Sequence, residues 1–502
     1  MSEAWPDSPS WESSCGIGLP RSSDPTTRRT TITEPAIDGG SFRDREGRVF
    51  YRGEKIFRAL SDSAFKDWQA LADTDFFKRA SADGRIVATK PADIPAADLE
   101  DLSPVFLAAL EHERLPFISY PYEWCFGQLR DAALLNLDLV SEALDENLIL
   151  KDSSAYNIQW IGSRPIHIDI PSFQRWQPGV AWVGYRQFCQ HFLYPLMLTA
   201  FREVSFRPWL RGALDGITPE ECNHLLSLRD KFRRGVFSHV YLQSKLLAMT
   251  AKSSTSLKAD LRTTDLGAEI IKRNLRGLTK TIRRLDPGGG TSEWSSYAQS
   301  HSYSDQDETI KRDFVARAAA DRRWRMVWDM GCNTGNYSRI AADHADHVVA
   351  MDGDEKAIEQ LYAALRSEGN EKILPLVVNL ADQSPDQGWN GKERKSLPER
   401  GRPELILSLA LLHHLTITAN IPLADLVHWL ASFGSHVVVE FVRRADPMVE
   451  RLLLNRDDIY HDYHLEEFER LIGDRFRILD RTTTHAGTRV LFFLGPSDTA
   501  VP

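Results

Sequence analysis

The residues best suited to chemistry lie in one short segment, 327–336, which reads Val-Trp-Asp-Met-Gly-Cys-Asn-Thr-Gly-Asn. An apolar run that favours a strand ends at Asp329, and Gly331 and Gly335 follow before a predicted helix. Glycines at such a turn let a ligand approach the backbone, because no Cβ stands in the way. A second predicted strand ends at Asp352, 23 positions after Asp329, where an acid can bind both hydroxyls of a ribose. The segment therefore predicts a site for a ligand that contains a nucleoside.

The spacing of the glycines distinguishes two kinds of ligand. A dinucleotide site uses G-x-G-x-x-G, with the pyrophosphate at the N-terminus of the helix. Here the spacing is G-x-x-x-G, and Thr334 and Asn336 stand where a further glycine would complete that pattern. Asp329 also lies two residues before the first glycine. An acid at this place suits a ligand that carries an ammonium group and no phosphate, and S-adenosylmethionine is such a ligand.

The pattern D-x-G-x-N-x-G over residues 329–335 resembles motif I of the class I S-adenosylmethionine-dependent methyltransferases. Many members of that class carry a glycine where this chain has Asn333. The resemblance covers about residues 290–495 and implies an α/β fold with a Rossmann-like, seven-stranded sheet that ends in an antiparallel hairpin. It also implies a set of cofactor-binding residues: Asp329, Gly331, Asn333, Gly335, the ribose acid Asp352, and Asn379 and Leu380 at the adenine edge, with Asp382 as an alternative polar group there.

Acceptor chemistry is expected at the ends of the fourth and fifth predicted strands, where that class lines its substrate cleft. His413 and His414 follow the fourth strand, and Glu440 ends the fifth. If the acceptor is a hydroxyl, a base near the transferred methyl group assists the reaction, and these three residues are the candidates. Each histidine could equally pack in the core, so both interpretations stay open at this point.

A second group of polar residues lies in the first half of the chain. Asp152 and Asn157 have the spacing D-x-x-x-x-N, and Asp169 ends a short predicted strand 12 residues later. This arrangement resembles protein kinases, in which one aspartate activates the hydroxyl while an asparagine and a second aspartate hold magnesium. Residues 45–250 therefore resemble a kinase-like fold, and the resemblance implies Mg²⁺ with ATP at these three residues.

The departures from the kinase pattern are large. A glycine-rich loop over the phosphates has no clear counterpart, and Arg58 or Lys55 would have to replace the usual lysine. We therefore expect this half to bind the acceptor or a nucleotide without fast phosphoryl transfer. Three alternatives remain: a bifunctional kinase and methyltransferase, a non-catalytic nucleotide-sensing scaffold, and a structural role in which Asp152 and Asn157 cap a turn.

Both halves together resemble one bacterial group, the methyltransferases related to the nodulation protein NoeA. The stretches that carry the resemblance are 117–124 (FISYPYEW), 151–152 (KD), 185–188 (YRQF) and 440–442 (EFV). The resemblance covers most of the chain and implies methyl transfer in the tailoring of a glycan or a secondary metabolite. It does not identify the methyl acceptor.

Composition disfavours several other classes of protein. The 502 residues include 61 Lys and Arg against 70 Asp and Glu, and a net charge of -9 disfavours broad nucleic-acid binding. The five cysteines are widely spaced and form no C-x-x-C, which disfavours disulfides and a zinc site and fits a reducing compartment. No apolar run approaches the roughly 20 residues that cross a bilayer. We expect a cytoplasmic protein that acts on a small-molecule or glycan acceptor, without nucleic-acid or membrane partners; the oligomeric state is not predicted.

Changes in the hydrophobic pattern divide the chain into four parts. Residues 1–40 are predicted to be a disordered tail, 41–250 a kinase-like α+β domain, 251–290 a helical linker, and 291–502 the class I methyltransferase domain. In the second part, a hairpin that turns at Gly53, a helix at 62–80, strands at 85–89 and 115–120, and a long helix after Pro121 are predicted. In the last part, strands are predicted at 326–329, 348–352, 373–380, 405–412 and 437–442, with a closing hairpin of 476–482 and 489–494. The segment before the first of these strands, with Trp294, Tyr297, Tyr303 and Lys311, could be an aromatic lid over the cofactor or an amphipathic helix that packs on the sheet.

Overall fold

The computed structural model describes residues 36–245, 267–288, 304–454, 457 and 459–497. The first part of the chain builds a five-stranded antiparallel sheet in the order β1-β2-β3-β5-β4. Its strands are β1 (Ala36–Ile37), β2 (Gly47–Arg52), β3 (Lys55–Ser61), β4 (Thr89–Ala92) and β5 (Phe106–His112). The predicted turn at Gly53 is confirmed, and its φ of 58° is a backbone conformation that favours glycine.

Two short strand pairs and a set of helices follow this sheet. The pairs are β6 (Leu148–Leu150) with β9 (Phe173–Arg175), and β7 (Ile158–Ile161) with β8 (Arg164–His167). The predicted long helix is Phe126–Asp145, and most of its residues are buried because it packs in the middle of this half. The other α-helices here are Asp62–Ala72, Asp75–Ala82, Ala96–Leu102, Tyr185–Phe188, Tyr194–Arg202, Arg207–Gly212 and Pro219–Leu225.

Three local predictions for the first half are wrong. The single helix expected at 62–80 is two helices, because Thr74 accepts a hydrogen bond from Phe77 N and begins a second helix. The strand expected at 115–120 is not a strand; Pro116 and Pro121 cannot donate ladder hydrogen bonds. The strand expected at 85–89 is not formed, apart from an isolated bridge at Ile86, and β4 begins only at Thr89.

The second half contains a seven-stranded sheet in the order β12-β11-β10-β13-β14-β16-β15. Its strands are β10 (Trp324–Met330), β11 (Ala345–Asp352), β12 (Ile373–Val377), β13 (Leu405–Ser408), β14 (His436–Val442), β15 (Phe476–Thr483) and β16 (Arg489–Pro496). The first five are parallel, and β16 and β15 form the predicted antiparallel hairpin. Its α-helices are Asp305–Ala319, Asn336–His344, Glu355–Glu368, Leu423–Ser432, Pro447–Leu453 and Leu465–Gly473. The result is an α/β fold in which the carboxyl ends of five parallel strands lie along one edge of the sheet.

The predicted strands 373–380 and 405–412 end early, at Val377 and Ser408, and two predicted domain boundaries also need correction. Residues 36–40, assigned to the tail, belong to the fold, because β1 pairs with β2 and Asp38 caps the turn that follows. The remainder of the tail lies outside the described residues, as does the linker up to 266. The rest of the linker includes helix Ala268–Ile282, whose buried face packs against helix Phe126–Asp145, so this part belongs to the first half.

The two halves share one hydrophobic core. A single cluster of buried side chains extends from Leu60 to Leu494. Across the seam, the rings of Trp160 and Tyr362 meet edge to face at 5.7 Å. The guanidinium of Arg400 makes a buried ion pair with Glu123 across the same seam. Within the described residues, none of the helices combines the length and the apolar character needed to cross a bilayer.

Candidate functional site

The loop after β10 has the backbone conformation that its glycines permit. Gly331, Asn333 and Gly335 all have positive φ, at 81°, 49° and 82°. The N–H groups of Gly331 and Cys332 both donate to the carbonyl of Met351, at 2.8 and 3.0 Å, which ties the loop to the end of β11. A Cβ on Gly335 would lie 2.6 Å from the Leu361 side chain, so this glycine is needed for packing as well. The loop is therefore fixed against the end of β11 at the carboxyl edge of the sheet.

Asp329 is a buried acid beneath this loop, with 2% of its surface exposed. Ser338 on the following helix donates its hydroxyl proton to Asp329 Oδ2 at 2.6 Å. Burial raises the pKa of Asp329 to about 6, against the hydrogen bond from Ser338, which lowers it. A buried carboxylate of this kind is stabilised by a nearby positive charge, which a ligand ammonium group would supply.

Asp352 ends β11 directly beside the loop. Its Oδ2 accepts from Asn333 N at 2.8 Å, and its Oδ1 accepts from Asp354 N at 2.9 Å. Burial raises its pKa, while these backbone donors lower it. Each carboxylate oxygen has two lone pairs, so both oxygens keep capacity to accept from a diol. Asp354 caps helix Glu355–Glu368, accepting from Lys356 N and Ala357 N.

Of the three residues predicted to contact the adenine after β12, two are placed for this role and one is engaged elsewhere. Asn379 is exposed, and its Oδ1 accepts from Ala381 N within a turn. Leu380 is buried beside it. The alternative polar group, Asp382, instead pairs with both terminal nitrogens of Arg211 from the first half, at 3.0 and 3.2 Å. Asn379 and Leu380 are therefore better placed for this role than Asp382.

The two histidines follow β13 after a strained residue, Ala410, whose φ is 51°. His413 is fully buried, and neither of its ring nitrogens has a hydrogen-bond partner among the residues described. The ring of the partly exposed His414 lies 4.1 Å from it, measured between centroids. Burial lowers the pKa of His414 to about 4 and lowers that of His413 well below its usual value, with Arg489 contributing to both. Both imidazoles are thus neutral near pH 7, and each has one nitrogen able to accept a proton.

Glu440 lies in a buried network of charges. Its Oε2 accepts from the ammonium of Lys311 at 2.7 Å, and Arg489 lies 3.6 Å from its other oxygen. Arg489 in turn pairs with Asp446 at 2.8 Å. A carboxylate already ion-paired in this way is poorly suited to abstract a proton. The geometry therefore disfavours Glu440 as the base and assigns it to holding helix Asp305–Ala319 on the sheet.

Ser338 and Arg489 are polar neighbours that the sequence did not single out, and Lys311 was singled out only as part of the segment predicted to be a lid or a packing helix. Ser338 has no motif spacing that would reveal it. Lys311 lies 129 positions from Glu440, so only the fold brings them together. The Lys311 ammonium also lies 5.0 Å from the centre of the Tyr337 ring. The aromatic residues Trp294, Tyr297 and Tyr303, considered as a lid, lie outside the described residues.

The first half brings its predicted polar residues together. Burial, and after it the charge of the nearby Asp169, raises the pKa of Asp152, and Asn157 lies beside Asp152. Asp152 Oδ1 accepts from Ser154 N at 3.0 Å, as the turn-capping interpretation requires. Asp169, however, is ion-paired with Arg58 on β3 at 2.9 Å. Over the described ranges, no group of three or more His, Cys, Asp or Glu is arranged to hold a metal.

Comparison with known proteins gives one relative over nearly the whole chain. No protein-family profile matches the sequence. The nodulation protein NoeA of Rhizobium meliloti (strain 1021) is 33% identical over 461 residues, which cover 91% of this chain and 96% of NoeA. Among solved structures, the N-methyltransferase NodS of Bradyrhizobium japonicum WM9 is 14% identical, with a TM-score of 0.29 over 38% of this chain and 98% of NodS. The bifunctional kinase-methyltransferase WbdD is 16% identical, with a TM-score of 0.28 over 41% of this chain and 43% of WbdD. On the extent and identity of the match to NoeA, the chain belongs to the NoeA family.

Proposed function

We propose that the second half of this protein is an S-adenosylmethionine-dependent methyltransferase that acts on a small-molecule or glycan-type acceptor. One observation carries the proposal. The buried acid Asp329 and the partly exposed acid Asp352 lie at the carboxyl ends of neighbouring parallel strands, and a loop with two positive-φ glycines lies between them. Ligands of open α/β sheets bind at this carboxyl edge.

The residues present fit the proposed cofactor. Asp329 is a buried carboxylate that a ligand ammonium group would stabilise, and Asp352 retains lone pairs for the ribose hydroxyls. Asn379 and Leu380 follow β12, where the adenine would lie. When bound, S-adenosylmethionine supplies a methyl group on a sulfonium, which is transferred by in-line attack. Such transfer depends mainly on positioning the acceptor and excluding water.

The two histidines are the proposed residues of the acceptor site. His414 is partly exposed at the carboxyl edge and neutral, so its unprotonated nitrogen could accept a hydroxyl proton as the methyl group is transferred. His413 packs against its ring and fixes its orientation. Glu440 stays ion-paired with Lys311 and has a structural role, which is to hold helix Asp305–Ala319 on the sheet.

The test is incubation of the full-length protein with methyl-labelled S-adenosylmethionine and an extract of its source cells, followed by mass analysis of the labelled product. We expect a labelled small molecule or glycan whose formation at limiting cofactor is strongly reduced with Asp352→Ala and retained with Asp354→Ala. Cofactor binding without label transfer to any extract component would support the non-catalytic scaffold instead. Absence of cofactor binding would refute the proposal.

Substituting His414 by Gln should lower turnover by about a hundredfold. General-base catalysis contributes roughly 10²–10⁴-fold, and a pKa of about 4 places this imidazole at the weak end of that range. Cofactor affinity should stay unchanged, because His414 lies after β13 and the cofactor residues belong to β10, β11 and β12. Turnover and calorimetric binding are measured on the same preparation. Full turnover in both His414→Gln and His413→Leu would show that the pair only packs.

For the first half, we propose ligand binding without fast phosphoryl transfer. The juxtaposition of Asp152, Asn157 and Asp169 favours a polar ligand. A resident magnesium ion fits poorly, because Arg58 already neutralises Asp169. The same guanidinium is a cation near which the phosphates of a nucleotide, or an acidic acceptor, could bind. The bifunctional kinase remains the alternative.

Thermal shift with ATP, with and without magnesium, separates these possibilities. We expect ATP to raise the melting temperature of the parent protein in both conditions, and the shift to disappear in Arg58→Gln, where the cation near the phosphates is lost. Arg45→Gln, which removes an exposed arginine of the same half, serves as the matched control and should keep the shift. No shift in the parent would exclude a nucleotide site. ATP turnover of order one per second, as in kinases, would favour the bifunctional alternative.

A further inference from the structure

One stretch of the first half exposes large apolar side chains to solvent. It comprises residues 228–245, called here the 228–245 surface. A 3-10 turn, Asp230–Phe232, and a π-helical turn, Phe237–Tyr241, shape it. Four of its side chains are widely exposed: Leu228 by 75%, Phe232 by 93%, Phe237 by 57% and Leu242 by 44%. Single exposed apolar residues are ordinary, but several on one short stretch mark an interaction surface.

The same stretch is strongly basic. Its cations are Arg229, Lys231, Arg233, Arg234 and Lys245, and its only acid is Asp230. Asp230 is buried and already paired with Arg233 at 3.0 Å. The stretch therefore carries a net positive charge, although the whole chain carries -9.

The structure places cations and rings side by side on this surface. The Phe237 and Tyr241 rings stack with centroids 5.6 Å apart. The ammonium of Lys231 lies 4.4 Å from the centre of the Tyr241 ring, and that of Lys245 lies 5.7 Å from it. Neither lysine has an ion-pair partner in the described part of the chain. Aromatic rings and unpaired lysines thus share one exposed face.

This combination fits the surface of a lipid bilayer. Exposed Phe and Leu side chains can enter the boundary between headgroups and acyl chains, and nearby Lys and Arg attract anionic headgroups. A nucleic acid would use the cations and leave Leu228 and Leu242 in water. A bilayer satisfies both features of the surface at once.

We propose that the 228–245 surface attaches the protein peripherally to bilayers that contain anionic phospholipid. This differs from the expectation drawn from composition, which gave no membrane partner, because composition does not show which apolar and basic residues share an exposed face. The proposal is independent of the methyl-transfer activity, since no residue of the 228–245 surface belongs to the proposed cofactor or acceptor site.

The test is co-sedimentation of the full-length protein with vesicles of phosphatidylcholine alone or with about one third phosphatidylserine. We expect binding to the anionic vesicles, weakened by added salt. Lys231→Glu with Lys245→Glu should weaken it about 25-fold or more, since each basic residue near such a surface contributes about fivefold. Phe232→Ser with Phe237→Ser should weaken it at least about tenfold. The matched control reverses two exposed charges at the other end of the molecule, Arg475→Glu with Arg477→Glu, and should bind like the parent.

Three outcomes would overturn the proposal. The first is absence of binding to anionic vesicles, and the second is equal binding by the parent and the double-lysine variant. The third is binding to a single-stranded oligonucleotide, or self-association lost in Phe232→Ser with Phe237→Ser, without any vesicle binding. That result would assign the 228–245 surface to a nucleic acid or to a second copy of this chain.

Discussion

Replacing Arg400 by Leu should lower the free energy of unfolding by about 3–5 kcal/mol, because it leaves a buried carboxylate without its partner. The two terminal nitrogens of Arg400 donate to the two oxygens of Glu123, each at 2.6 Å. Their side chains are only 1% and 5% exposed, so water cannot replace the lost guanidinium. Urea unfolding followed by tryptophan fluorescence measures the change.

The double variant Arg400→Leu with Glu123→Gln distinguishes an uncompensated charge from lost packing. The amide oxygen of Gln can still accept from Tyr120 N, as Glu123 does now at 2.9 Å. We therefore expect the double variant to be clearly more stable than the single one. Arg470→Leu, which removes an exposed arginine paired with Glu467, is the control and should leave stability unchanged. A change below about 1 kcal/mol for Arg400→Leu would contradict the assignment of this pair as a buried bridge.

The second large effect concerns cofactor affinity. Asp352→Ala should weaken S-adenosylmethionine binding about ten- to a hundredfold, because charge-assisted hydrogen bonds of about 1.5–3 kcal/mol are lost. The structure adds a second reason, since the carboxylate also holds Asn333 N and so fixes the loop. Calorimetry on the purified protein measures the affinity.

Asp354→Ala provides the matched control for this variant. It removes a neighbouring acid whose side chain caps helix Glu355–Glu368, so it should reduce stability by about 1 kcal/mol and leave affinity unchanged. If Asp352→Ala bound S-adenosylmethionine as tightly as the parent, the site would have to be assigned to a different ligand. Equal losses in both variants would point to a damaged loop and not to a lost ribose contact.

The sequence predicted the second half well because parallel strands buried on both faces appear as uninterrupted apolar runs. The run at 437–442 corresponds to β14 within one residue, and Asp352 ends β11 as predicted. In the first half, β5 was missed because Leu107, Ala108 and Ala109 favour a helix over a strand. There the pairing with β3 determines the structure, and local preference does not reveal it.

The candidate site was predictable only where its residues lie close together in the chain. The loop with Asp329 and Gly331 has a local pattern that identifies it. The pairing of Glu440 with Lys311, and of Asp169 with Arg58, joins residues more than a hundred positions apart. Both ion pairs change the chemistry expected of the acid, and neither leaves a spacing signal in the sequence.

The shared core also affects how the protein is made. Glu123 and Trp160 leave the ribosome long before their partners Arg400 and Tyr362, and Arg400 follows Glu123 by 277 positions. At about 5–20 residues per second, that interval is roughly 14–55 s. During this time the nascent first half exposes an apolar face and an unpaired acid, which later form the seam. We therefore expect the protein to depend on chaperones during synthesis more than a protein of two separately folding domains would.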